Sequence, residues 1–215
     1  MNVSKSKENI LKKIRQALAH PVPVPFPANE GNDSVFQPSI EELEVEFAEN
    51  FTKLLGKFSY CVNESDLVVQ LATLASLRKW NKVFCREAQL KYILNSNGYS
   101  NFDYADLNTC DASITSCELL VARTGSIILS SGQQSGRNTS VYAPIHICIA
   151  YTNQLVYDIK DGIQQLKDKY NESLPSLITL ATGPSRTADI EKTLVVGVHG
   201  PKEVFLFLVE QPDAS

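Results

Sequence analysis

Ile145-His146-Ile147-Cys148-Ile149-Ala150-Tyr151 is apolar on both of its alternating faces, with His146 as the interruption. Successive strand side chains point to opposite sides, so such a run is buried on both. That is the pattern of a central strand in a covered parallel sheet. Upstream, residues 118–122 and 126–129 are two further β-type runs, separated by Arg123-Thr124-Gly125, which suits a tight turn or bulge. Downstream, residues 155–170 read as a helix, 177–181 as a strand and 204–209 as a closing strand.

The first half alternates in the same way. Ser39 as N-cap, with Glu41 and Glu42 in the first turn, predicts a helix to about Leu55 that stops at Gly56. A short strand over residues 58–62 follows. Ser65 then caps a helix through about Trp80, carrying Leu67, Val68, Leu71, Leu74 and Ala75. Residues 82–85 read as a strand, and 87–94 as a helix ending in Asn95-Ser96-Asn97-Gly98. Strands and helices alternating at these lengths give an α/β fold, a mainly parallel sheet flanked by helices.

Residues 1–38 differ from this body. Ile10, Leu11, Ile14, Ala17 and Leu18 recur at helical spacing, with lysines and Arg15 on the other faces. Four prolines in seven residues, Pro21 to Pro27, then impose an extended strut without a partner strand. The expected organisation is an N-terminal amphipathic helix and Pro-rich linker, residues 1–38, before an α/β domain of residues 39–215. The arm either folds back on its own body or reaches a partner.

Composition narrows the function. The chain has 215 residues, 43% of them hydrophobic, enough for a sizeable core. Its net charge of −4, with Lys and Arg scattered, argues against a nucleic-acid surface, which needs clustered positive charge. No apolar run reaches the roughly 20 residues of a membrane span, and no secretory signal is present, so the expectation is a cytoplasmic protein. Cys61, Cys85, Cys110, Cys117 and Cys148 are widely spread, without the close spacing that zinc or iron–sulfur ligation requires. Buried, reduced thiols are the reading, with no cofactor or metal in this chain. Three histidines are too few for a multi-histidine metal site.

Three loops put small and polar residues at the ends of apolar strands, and ligands of open α/β sheets bind beyond the carboxyl ends of strands. The first, residues 130–139, joins Gly136 to Arg137, a permanent charge suited to a carboxylate or phosphate. A solvated connector would have the same composition. In the second, residues 181–191, a strand runs into Gly183-Pro184 and then into a short helix capped by Ser185 or Thr187. Free N–H groups at such a helix start favour an anion, unless Asp189 and Glu191 satisfy that end internally. It has no P-loop ending, which argues against a nucleoside triphosphate. The third, Gly197-Val198-His199-Gly200-Pro201, holds a histidine on a constrained loop, suited to proton transfer. His146, within an apolar strand, reads first as a hydrogen-bonded core residue. All three loops are expected to share one crevice.

Five pieces carry a family resemblance: Ala122-Arg123-Thr124-Gly125-Ser126-Ile127-Ile128-Leu129, then Gly136-Arg137, then Pro144-Ile145-His146-Ile147-Cys148-Ile149. Thr182-Gly183-Pro184-Ser185-Arg186-Thr187-Ala188-Asp189-Ile190-Glu191 and Gly197-Val198-His199-Gly200-Pro201 complete the series. In this order and spacing they resemble the LUD-domain family of lactate-utilisation proteins over residues 120–209. The first half is similar in length and layout alone.

The resemblance implies a fold of the NagB/RpiA/CoA-transferase group. It also implies a part in oxidising L-lactate to pyruvate beside iron–sulfur lactate-utilisation subunits, which would hold the clusters. On this reading Thr124, Gly125, Gly136, Arg137, His146, Gly183, Ser185, Arg186, Thr187 and Gly200 surround a small carboxylate or other anion. His199 is the candidate catalytic residue, orienting or transferring a proton. One departure stands out: the family commonly has a Glu where this chain has Arg123, and Glu118 would face the opposite side of its strand. Without that carboxylate a CoA-transferase mechanism is disfavoured. The alternatives are a non-catalytic assembly subunit, docking through residues 1–38, and a stand-alone enzyme of the same fold, such as a sugar-phosphate isomerase, a CoA transferase or a formyltetrahydrofolate cyclo-ligase.

Overall fold

The central strand has parallel neighbours on both sides. In the computed structural model β1 (Lys57–Cys61), β2 (Val83–Cys85), β3 (Ala112–Thr115), β6 (Ile145–Tyr151) and β11 (Glu203–Val209) form one sheet in the order β1-β11-β6-β3-β2, every pair parallel. The structure describes residues 41–171, 173–187, 195–197 and 199–211, with isolated positions of the N-terminal segment. The chain divides into two units, Met1–Gln37 and Pro38–Ser215. In the first, Glu8, Asn9, Lys12, Lys13, Arg15, Gln16 and Ala19 are helical and exposed. The apolar positions of that helix, the proline strut and Ser39 lie outside the described residues.

Alternation along β6 and β11 divides the second unit into layers. Ile147, Ile149, Phe205 and Phe207 face one way and join Leu67, Leu71 and Ala75 of α2 (Glu64–Arg78) and Leu90 and Leu94 of α3 (Ala88–Ser96). Cys148, Ala150, Leu206 and Leu208 face the other way, onto Leu120, Ile127 and Leu129 and onto Phe47 and Phe51 of α1 (Leu43–Lys53). Those apolar residues belong to a second sheet: β4 (Leu119–Val121), β5 (Ser126–Ser130), β7 (Leu155–Val156) and β8 (Ile178–Ala181), ordered β7-β4-β5-β8. Its far face is covered by α5 (Ile159–Lys169) through Leu166. The parallel sheet therefore has α2 and α3 on one face, and the mixed sheet together with α1 on the other.

Several local expectations shift. Asn63, not Ser65, caps α2, its side chain accepting from Asp66 N at 2.9 Å. α1 begins after Glu42, with Glu44 and Glu46 in its first turn at the positive helix end. The single helix expected over residues 155–170 is instead β7 followed by α5, because Asp158 forms a reciprocal capping box with Asp161. β3 was not legible. Ala112 and Ile114 are apolar, but Ser113 and Thr115 are buried polar groups whose hydrogen bonds are made across the fold. The five cysteines are all buried and free.

Candidate functional site

Parallel pairing of β6 with β11 sets His146 beside Val204, both near the amino ends of their strands. Residues 182–185, leaving β8, close over that point together with residues 199–201, which lead into β11. The two segments are tied backbone to backbone: Ser185 N donates to Pro201 O at 3.0 Å, and Gly197 N to Ser185 O at 2.9 Å. Gly200 packs so closely that an added Cβ would lie 3.0 Å from Ser185 Cβ. The short α4 (Thr139–Tyr142) supplies Ser140 and Val141 to the opposite wall. Between them lies a crevice of ≈ 320 Å³ lined by Gly183, Ser185, His199, Gly200 and His146.

His146 is 1% exposed, and its Nε2 lies 2.8 Å from Thr115 Oγ1. Burial pushes its pKa down to about 4. The ring is therefore neutral near pH 7 and acts as a fixed hydrogen-bonding wall. His199 is exposed at the mouth.

Two expectations of placement fail. The crevice opens at the amino ends of the parallel strands, not beyond their carboxyl ends, since His146 and Val204 begin β6 and β11. And the first loop, with Arg137, is not in it. Gln133 Nε2 donates to Ser116 Oγ just past β3, and Gln134 Oε1 accepts from Ala88 N just past β2. That loop thus sits on the carboxyl rim, and only its continuation, Ser140 and Val141, returns to the crevice. Arg137 is exposed and donates to Ser176 Oγ, and Gly136 lies beside Arg86.

The remaining expected residues also separate. No helix starts at Ser185: β9 (Arg186–Thr187) pairs antiparallel with β10 (Val195–Val196), and a helix capped by Thr187 would lie outside the described residues. Asp189 and Glu191 lie outside the described residues. Arg186 donates to Leu54 O at the end of α1. Gly125, at φ +57, presses on the α1 backbone, where an added Cβ would meet Phe51 N at 2.5 Å. Thr124 Oγ1 lies 2.8 Å from Ser126 Oγ, which in turn lies 2.8 Å from Thr182 Oγ1. This hydroxyl chain reaches the crevice only at Thr182, and Thr124 and Ser126 do not line it.

Two buried carboxylates sit on the carboxyl rim, and neither was among the expected site residues. Glu87 accepts from Ser116 N at 2.9 Å. Glu118 accepts from Ser130 Oγ, from Tyr170 OH at 2.7 Å and from Lys169 Nζ at 2.6 Å. Burial raises the Glu118 pKa, but these hydrogen bonds outweigh it and hold the carboxyl below its usual range. With both oxygens engaged, Glu118 locks β4 and β5 to α5 and leaves no room for a ligand. A larger hollow of ≈ 690 Å³ beside α1 is rimmed by Glu42, Glu44, Glu49 and Glu210, which suits no anion. Arg123 makes a two-pronged pair with Asp158, Nε to Oδ2 at 2.9 Å and Nη2 to Oδ1 at 3.3 Å.

The profile of the LUD domain matches residues 96–209, more than half of the 215-residue chain. The chain belongs to the LUD-domain family. Every residue lining the crevice lies within the matched segment. This LUD-domain chain is 34% identical over 107 residues to a lactate utilization protein C from Deinococcus radiodurans, covering 49% of this chain and 50% of that protein. Proteins of the same name from Geobacillus sp. and Halalkalibacterium halodurans are 34% and 38% identical over 116 and 102 residues. Those matches cover 53% and 46% of this chain and 47% and 44% of those proteins. The chain thus spans about half the length of these relatives. A crystal structure of a DUF162 family protein from Deinococcus radiodurans has the same α/β fold, with a TM-score of 0.60 at 20% identity, over 80% of this chain and 99% of that one.

Proposed function

We propose that this LUD-domain chain serves lactate utilisation as the anion-binding subunit of an L-lactate-oxidising assembly whose iron–sulfur clusters sit in partner subunits. The observation that carries the reading is the crevice, where His146, Ser185 and His199 face one cavity inside the segment shared with the lactate utilization proteins C. Electron transfer is assigned to partners because of the donors present. Among the described residues no three His, Cys, Asp or Glu side chains are grouped to hold a metal, and the five cysteines are buried apart from any such group. Neutral His146 and Ser185 would hydrogen-bond the occupant of the inner crevice, and His199 at the mouth would orient its charged end or accept a proton. An acyl-transfer role is disfavoured, since Arg123 is committed to Asp158 where a nucleophilic carboxylate would be needed.

The test is genetic and biochemical together. A strain lacking this gene and any redundant lactate dehydrogenase should fail to grow on L-lactate and recover with the wild-type gene. A Val141→Trp gene, filling the crevice, should not restore growth although its product still co-purifies with iron–sulfur protein. Unimpaired growth of the deletion strain would remove the role. Full rescue by Val141→Trp would leave the chain a non-catalytic assembly subunit.

A further inference from the structure

We propose that the groove has two chambers and takes an anion with an apolar body larger than a three-carbon acid, its charge held by Lys202. This rests on the reading that the crevice is the ligand site. The inner chamber of ≈ 320 Å³ adjoins an outer hollow of ≈ 410 Å³, and the two share Val141, His199 and Gly200. Leu129, Leu180, Ala181, Pro184 and Val204 make the inner walls largely apolar. Among the described residues no Asp, Glu, Lys or Arg lines that chamber. A cavity of roughly 300 Å³ or more suits a body of drug-like size, and lactate or pyruvate would leave most of it unfilled.

The outer hollow supplies the missing charge. Lys202 is the one Lys, Arg, Asp or Glu that lines it among the described residues. Its placement is built. Lys202 N donates to Pro144 O at 2.8 Å, and its stem crosses Gly197, where an added Cβ would lie 2.2 Å from Lys202 Cγ. Gly197 sits at φ +81, a conformation that side chains other than glycine rarely adopt, so the crossing and the turn both need glycine there. The ammonium has no carboxylate partner among the described residues. The adjacent Glu203 is already engaged by Lys57 and Arg78. A cation held over the mouth of a mostly apolar chamber selects a ligand with its charge at one end.

This assigns to Lys202 the part that sequence reading gave to Arg137. Lys202 is a specificity-determining residue, and the apolar chamber behind it sets the length of the occupant. Each methylene the chamber buries should add about fourfold in affinity.

Propanoate, hexanoate and the neutral hexanamide, titrated into the full-length chain and followed by the Gly200 amide signal, separate these terms. Hexanoate should bind at least about tenfold more tightly than propanoate. Lys202→Gln should weaken hexanoate roughly fivefold to tenfold, leave hexanamide unchanged, and be rescued in large part by Lys202→Arg. Lys202 is exposed, so the variant should fold normally, which its circular dichroism checks. Equal affinity for the two acids, or hexanoate binding that ignores Lys202→Gln while Val141→Trp abolishes it, would overturn the inference and leave the crevice as the site. No binding of any acid to the wild-type chain would overturn both.

Discussion

His146 Nε2 and Thr115 Oγ1 lie 2.8 Å apart across neighbouring parallel strands, joining two polar groups inside an otherwise apolar layer. The bond fixes the ring that forms the crevice wall. Thr115→Val keeps the volume and removes that partner. It should cost about 1–3 kcal/mol of stability, the penalty for leaving a buried polar group unpaired. Urea unfolding of the variant measures this, and an unchanged midpoint would show that the bond contributes nothing.

The same burial makes stability depend on pH. The ordinary histidine value is 6.5, and the folded protein holds His146 at about 4. Between those values the unfolded chain binds the proton and the folded one does not. The contribution is therefore complete above pH 6.5 and is lost as pH falls through that value toward 4, about 3 kcal/mol in all. Unfolding free energies from pH 7.5 to 4.5 should slope downward in the wild type and much less in His146→Gln. Parallel slopes would place the titrating group elsewhere.

Arg123 and Asp158 offer a charge test. The guanidinium hydrogen bond holds the Asp158 carboxyl below its usual range, and the same carboxylate caps α5. Arg123→Glu sets two carboxylates together and should destabilise by about 1–2 kcal/mol. Asp158→Asn keeps a good cap, so it should recover part of that loss in the Arg123→Glu background while costing stability in the wild type. Additive effects in a thermal-melt double-mutant cycle would contradict the pairing.

Gly183 anchors the crevice to α1. It sits at φ +84, and an added Cβ would lie 2.4 Å from Leu54 O. Gly183→Ala should therefore cost at least about 2 kcal/mol, combining left-handed strain with a backbone clash. Calorimetry reads this directly, and a loss under about 0.5 kcal/mol would mean the turn is free to move.

The central strand was legible because the run from Ile145 to Tyr151 is apolar on both faces, and α2 and α3 because their apolar positions recur at helical spacing. What remained hidden has physical reasons. The strands β4, β5 and β8 were read as such, but β7, only two residues long, was absorbed into a helix, and nothing in the spacing shows that these four form a second sheet. β3 is half polar, and only its partners Thr139 and His146, distant in sequence, explain why Ser113 and Thr115 can be buried. At the site, His146, Gly183, Ser185, His199 and Gly200 were identified from residue type and do converge. Arg137 was singled out for its charge, but the rim it occupies is decided by side-chain bonds of Gln133 and Gln134 that spacing does not encode. Lys202 was passed over because nothing local marks it. Its position depends on the bare Cα of Gly197 five residues earlier.

The most direct test is a hexanoate titration of the isotopically labelled full-length chain, read amide by amide. The account predicts that Gly183, Ser185, His199 and Gly200 shift together with one dissociation constant, and that Arg137→Ala leaves that constant unchanged. Shifts confined to Gly136 and Arg137, or separate constants for the 182–185 and 199–201 segments, would contradict it.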